Sequence, residues 1–153
     1  MSWLLLLAYA VHMLEEFMLD WRDWAEGVLG LPVTWPDFYV TNGIVVVLGI
    51  GAAELAGELP MVALAFAALM LVNAVFFHVL PMIVFKGRFS PGAMTAVVVM
   101  CPAAITAFVL AGGEGILSTR MVLGAFLIGA LLMAYPIVLL RSRGLPYFRQ
   151  QGR

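Results

Sequence analysis

Residues 60–85 read PMVALAFAALMLVNAVFFHVLPMIVF. These 26 residues contain no Asp, Glu, Lys or Arg. A membrane-spanning helix takes ~20 predominantly apolar residues, and this run exceeds that without a break. In lipid every backbone polar group must be satisfied within the spanning unit, so a continuous apolar run is read as a helix. Similar runs flank it on both sides, at residues 38–59, 92–112 and 119–140, and a shorter one opens the chain at residues 3–19. The turn Gly57-Glu58-Leu59-Pro60 is very short and makes the second and third segments antiparallel neighbours. The expected fold is all-α, a polytopic membrane helix bundle of about five spans, forming a single domain over residues 1–153.

Composition agrees. Of 153 residues, 64% are hydrophobic and 11% charged, where a soluble domain carries about 25% charged residues. A β-barrel would need many short alternating segments, which are absent. The net charge of −1 and the lack of a basic, aromatic-laced patch leave no case for nucleic acid. The lone Cys101 cannot form an internal disulfide and is expected to be a small core residue beside Pro102. Ala8-Tyr9-Ala10 mimics a small-x-small cleavage site, but the stretch before it has no Lys or Arg, so a mature helix is expected there.

Between the first two segments lies a polar loop with Asp20, Arg22, Asp23, Glu26, Pro32, Pro36 and Asp37. Its Trp21, Trp24 and Trp35 suit a chain at headgroup level. With five spans, Arg22, Lys86, Arg88, Arg141, Arg143, Arg149 and Arg153 share one face, and Arg120 lies on the other. The positive-inside rule then puts the N-terminus outside and the C-terminus in the cytoplasm of a cytoplasmic-membrane protein. The first span is the short one, with only about a dozen apolar residues before Glu15. Gly49, Ala53 and Gly57 on the second span, and Gly124, Ala125, Gly129 and Ala130 on the fifth, are small residues that allow close helix approach.

Against this apolar background His12-Met13-Leu14-Glu15-Glu16 stands out. Ionisable groups within a span are expensive and mark sites. Helical spacing puts His12 on one face with Glu15 and Glu16. His78 is the second such residue. His12 and His78 each stand seven residues before the cytoplasmic end of their span, about 10 Å deep at 1.5 Å per residue. Pro81 should free the carbonyl of Phe77 and open space beside His78. Asn73 lies deeper, Asn42 can cap the site from below, and Asp20 follows Glu16 by one turn; these three are read as an outer layer.

Three roles fit His12, Glu15, Glu16 and His78. One is metal binding, where two imidazoles and two carboxylates suit zinc, iron or manganese. A second is metal-free acid–base catalysis, such as isomerisation or cyclisation, with one carboxyl of the pair carrying the proton. A third is proton- or ion-coupled transport, against which the lack of a visible inverted repeat argues mildly. A buried network that only ties helices together, a scaffold, is the structural alternative.

His12-x-x-Glu15-Glu16 with His78 resembles the HXXEE family of small bacterial membrane proteins. That family also carries a Tyr-x-Pro-Gly motif, and here Phe89-Ser90-Pro91-Gly92 stands in that place, so the aromatic lacks its hydroxyl. The resemblance implies a multi-span membrane protein of unknown function. The expectation drawn from the residues is a metal-assisted enzyme acting on a lipid or other apolar small molecule. His12, Glu15, Glu16 and His78 are its ligands or acid–base groups, and Lys86-Gly87-Arg88 and Pro91-Gly92 shape its entrance.

Overall fold

The structure, a computed structural model, describes residues 2–86 and 88–148. Gly87, Arg149 and Arg153 lie outside the described residues. Every regular element among the described residues is helical. In order these are α1 (Ser2–Met18), α2 (Trp21–Leu29), α3 (Trp35–Leu55), α4 (Pro60–Val84), α5 (Ala93–Gly113) and α6 (Thr119–Ser142), then a single 3₁₀ turn at Pro146–Phe148. Helices α3 to α6 are each long and apolar enough to cross a membrane. The pair α1 and α2, bent by 75° at their junction, makes a fifth candidate when taken as one broken span. The expected bundle is therefore present, with four to five spans.

Part of the expected polar loop is helix α2. The break before it falls at Asp20, whose φ of 57° and ψ of 53° put it in the left-handed region, which Asp tolerates better than most residues. Helix α3 starts three residues before the apolar run at Phe38. Thr34 accepts from the Asp37 backbone N–H, and the Asp37 carboxylate accepts from the Thr34 N–H. This reciprocal cap pulls the helix start back to Trp35.

Helix α4 is the centre of the bundle. More than half of its apolar stretch is buried, whereas α6 buries only a small part of its own. Its buried faces are rich in small residues, Ala65, Ala67, Ala68 and Ala74, which let neighbours approach closely. On α6 the approach is closest at Gly129, where a Cβ would lie 2.6 Å from the Leu69 backbone nitrogen. On α3 the small row works differently from the expected one. Gly49 is buried against Leu6 and Phe66, and Ala52 is buried, while Gly57 is exposed in the turn. Cys101 is only half-buried.

Two stretches widen to π-helical geometry, Ala74–Val79 in α4 and Ala96–Met100 in α5. The Leu80 N–H reaches back five residues to the Val75 carbonyl, and the Cys101 N–H reaches the Ala96 carbonyl. Each stretch stops just before a proline, Pro81 or Pro102. A proline ring clashes with the carbonyl four residues back, and a wider turn relieves that clash. The α4 stretch contains His78.

Candidate metal centre

His12 and Glu16 project from the same face of α1, one turn apart, and His78 meets them from the widened turn of α4. His12 and His78 are fully buried, and Glu16 is buried with them. The imidazole rings stand edge to face with centroids 4.7 Å apart. The shared depth expected of the two histidines is met. Glu16 Oε1 lies 3.5 Å from His12 Nε2 and 3.4 Å from His78 Nε2. One donor atom from each residue fits within 4.8 Å of the others, so His12, Glu16 and His78 can hold a metal ion.

The far sides of both rings are held. His12 Nδ1 is 3.1 Å from the Gly92 carbonyl and 3.1 Å from Thr95 Oγ1. A carbonyl only accepts, so Nδ1 carries the hydrogen and Nε2 keeps its lone pair. His78 Nδ1 is 3.0 Å from Ser90 Oγ. The Ser90 hydroxyl donates to the Phe77 carbonyl at 3.2 Å, the group that Pro81 leaves without its helical partner. With that hydrogen committed, Ser90 Oγ accepts from His78 Nδ1–H, and again Nε2 keeps its lone pair. Neither Nε2 has a hydrogen-bond partner among the described residues. Metal-binding histidines are oriented in this way, with the other ring nitrogen donating to a fixed acceptor.

Gly92 closes one side. Its φ is +92°, and a Cβ there would lie 2.7–2.8 Å from His78 Cε1, Glu16 Cγ and His12 Cε1. The expected entrance turn is thus a wedge packed into the cluster itself. Only glycine meets both the backbone and the space requirement.

Glu15 points to the neighbouring element. Its Oε2 accepts from the Thr95 N–H at 2.7 Å and the Thr95 hydroxyl at 2.6 Å, and its Oε1 accepts from the Met94 N–H at 3.3 Å. These amides belong to the first turn of α5, which has no intrahelical acceptors for them. Glu15 therefore satisfies that helix end and aligns Thr95, which in turn faces His12. It is not one of the three converging donors.

The outer residues expected from sequence are spread apart. Asp20 is exposed at the α1–α2 break, 3.9 Å from Arg22. The one-turn spacing from Glu16 fails because α1 ends at Met18. Asn42 caps nothing below the cluster. It accepts from the Tyr9 hydroxyl at 3.1 Å and donates to the Phe38 carbonyl. Asn73 is buried beside Met133. Both line a partly open cavity of about 580 Å³ between α1, α3, α4, α6 and the α1–α3 connection, and of the three cluster residues Glu16 reaches its wall. An ion pair at its outer end joins Asp37 to Arg143 at 2.6 Å.

Sequence reasoning missed Thr95, the orienting role of Ser90 and the wedging role of Gly92. Ser90 and Gly92 were visible as parts of Phe89-Ser90-Pro91-Gly92. Thr95, three residues beyond Gly92, carried the weaker signal of a hydroxyl in a first helical turn.

The fold and cluster define a class, a polytopic helical protein with a buried two-histidine, one-carboxylate centre at one end of the bundle. Over residues 3–107 the chain matches the family described as protein of unknown function with HXXEE motif. That is more than half of its 153 residues, and the chain belongs to this family. No curated protein and no solved structure matches it.

Proposed function

We propose that the chain is a membrane-embedded, metal-assisted enzyme acting on a lipid or other apolar molecule. His12, Glu16 and His78 hold one divalent ion, zinc, iron or manganese. The observation that carries this reading is the pair of Nε2 lone pairs, both buried, both unpartnered and both aimed at Glu16 Oε1. Two imidazoles and one carboxylate make three protein ligands. Structural zinc sites are closed by four, whereas catalytic sites use three and keep a position open. The same set also suits non-haem iron(II).

A bound ion supplies Lewis-acid polarisation or an activated water. The chain supplies the rest. Gly92 covers one side of the cluster, Glu15 and Thr95 hold the His12 ring, and Ser90 holds the His78 ring. Glu16 opens the cluster to an apolar cavity large enough for part of a lipid.

Elemental analysis of protein purified without added metal tests this reading, with a stoichiometric ion expected. Glu16→Gln and His78→Ala should both lose the ion, and Glu16→Gln should melt level with the parent or higher, since the clustered ionisable groups are tolerated at a cost to the fold. A network that only ties helices together would instead lose about 1–3 kcal/mol for each stranded partner. Protein that never carries metal while both variants lose stability in step would end the metal reading.

The proposed orientation is N-terminus outside and C-terminus in the cytoplasm. It is supported by Arg22, Lys86, Arg88, Arg141 and Arg143 at the end of the bundle that carries the cluster, with Arg120 at the other. A C-terminal reporter should be active only in the cytoplasm, and activity outside would reverse the placement.

A further inference from the structure

Asn73 is 95% buried by its 5% exposure, yet its amide is only half satisfied. Its Nδ2 faces Met133 Sδ at 3.8 Å. A thioether sulfur only accepts, so this contact orients the amide. Oδ1 is buried with no partner among the described residues, and Asn73 is one of the residues that line the cavity. A buried acceptor with no donor is destabilising, and a ligand that donates to it can return that cost.

Asn73 is not alone at that level. It stands five residues before His78 on α4, about 7 Å deeper along the axis. Tyr9 stands three residues before His12 on α1, about 4–5 Å deeper. Tyr9 donates to Asn42, and its phenolic oxygen keeps lone pairs at the cavity wall. Tyr9, Asn42 and Asn73 are polar groups partway along a cavity whose deeper walls are apolar. Beyond them the walls are Val45, Leu48, Leu69 and Leu132. From Arg143 to Leu132 the shaft follows α6 for eleven residues, about 16 Å. Among the described residues no Lys or Arg lines the cavity inward of the Asp37–Arg143 pair, and Arg143 is already engaged.

We propose that this shaft binds a neutral, long-chain amphiphile bearing a hydrogen-bond donor, a lipid alcohol by class. Its hydroxyl donates to Asn73 Oδ1. Its chain lies against Leu48, Leu69 and Leu132. The assignment rests on the metal reading for its purpose, because it names what is presented to Glu16, but the binding itself does not require the ion.

Trp21 lines the cavity and serves as the reporter in a background where Trp3, Trp24 and Trp35 are replaced by Phe. The protein in nanodiscs is titrated with three chain-matched brominated probes, a dodecanol, a dodecanoate and an alkane, and tryptophan quenching is followed. The alcohol should quench saturably and at least tenfold more tightly than the alkane or the carboxylate. Asn73→Leu should weaken the alcohol about tenfold, the equivalent of one hydrogen bond. It should leave the alkane unchanged and leave melting temperature level or higher, which separates recognition from folding. Equal binding of all three probes, preference for the carboxylate, or an Asn73→Leu variant that binds the alcohol normally would each overturn the proposal. The metal content of the parent protein separates the two readings. An alcohol preference in parent protein that carries no metal supports the shaft assignment and counts against the enzyme reading alone. Stoichiometric metal with no alcohol preference does the reverse.

Discussion

Helix α4 serves two regions built on opposite principles. Toward its C-terminal end, His78 enters a knot of directional polar contacts with α1 and the start of α5. Along its middle, Ala65, Ala68 and Leu69 meet Gly129 of α6 through shape alone. In the first region identity of atoms matters, because one lost acceptor turns a ring. In the second only volume matters, because two backbones nearly touch. The family match follows the same division: residues 3–107 contain the whole polar centre, and α6 lies beyond them. The comparison teaches that chemistry and cohesion are separable here, although one helix carries both.

Gly92→Ala should have the largest effect and breaks the comparison deliberately, because Gly92 belongs to both principles. A side chain at φ +92° costs about 1–2 kcal/mol, and forcing a methyl into the cluster adds about 1–3 kcal/mol. Thermal unfolding should drop sharply, and bound metal should vanish even in the folded fraction. A variant that melts like the parent and keeps its metal would show that Gly92 is no wedge.

Gly129→Ala sharpens the other side. Its Cβ meets the Leu69 nitrogen at 2.6 Å, so the seam must part. Overpacking of this kind costs about 1–3 kcal/mol. Metal per folded molecule should stay unchanged, measured on the monodisperse fraction. Loss of metal at full stability would mean that the two regions are coupled through α4.

Thr95→Val is the mildest. It keeps the shape, removes the acceptor facing His12 Nδ1 and removes the hydroxyl bond to Glu15. Metal affinity should fall about 10–100-fold, as for other outer partners of ligating histidines. Stability should change by only about 1 kcal/mol. A competition titration with a chelator reads the difference, and unchanged affinity would reduce the Glu15–Thr95 link to helix capping.

Sequence alone determined the helices, because lipid leaves a long apolar run no other way to satisfy its backbone. It also pointed to one cluster drawn from His12, Glu15, Glu16 and His78. Their spacing from the span ends set a common depth, and charged groups in lipid must find one another. Helix periodicity could not tell Glu15 from Glu16. Which carboxylate joins the histidines depends on where α5 begins, and Glu15 is drawn to that helix end. Nor could spacing show that α1 stops at Met18, which strands Asp20 outside. Ser90, Gly92 and Thr95 were beyond reach for the same reason. They sit about 80 residues from His12, and only the packing of the start of α5 against α1 and α4 brings their acceptors, and the space that only a glycine fits, to the two imidazole rings.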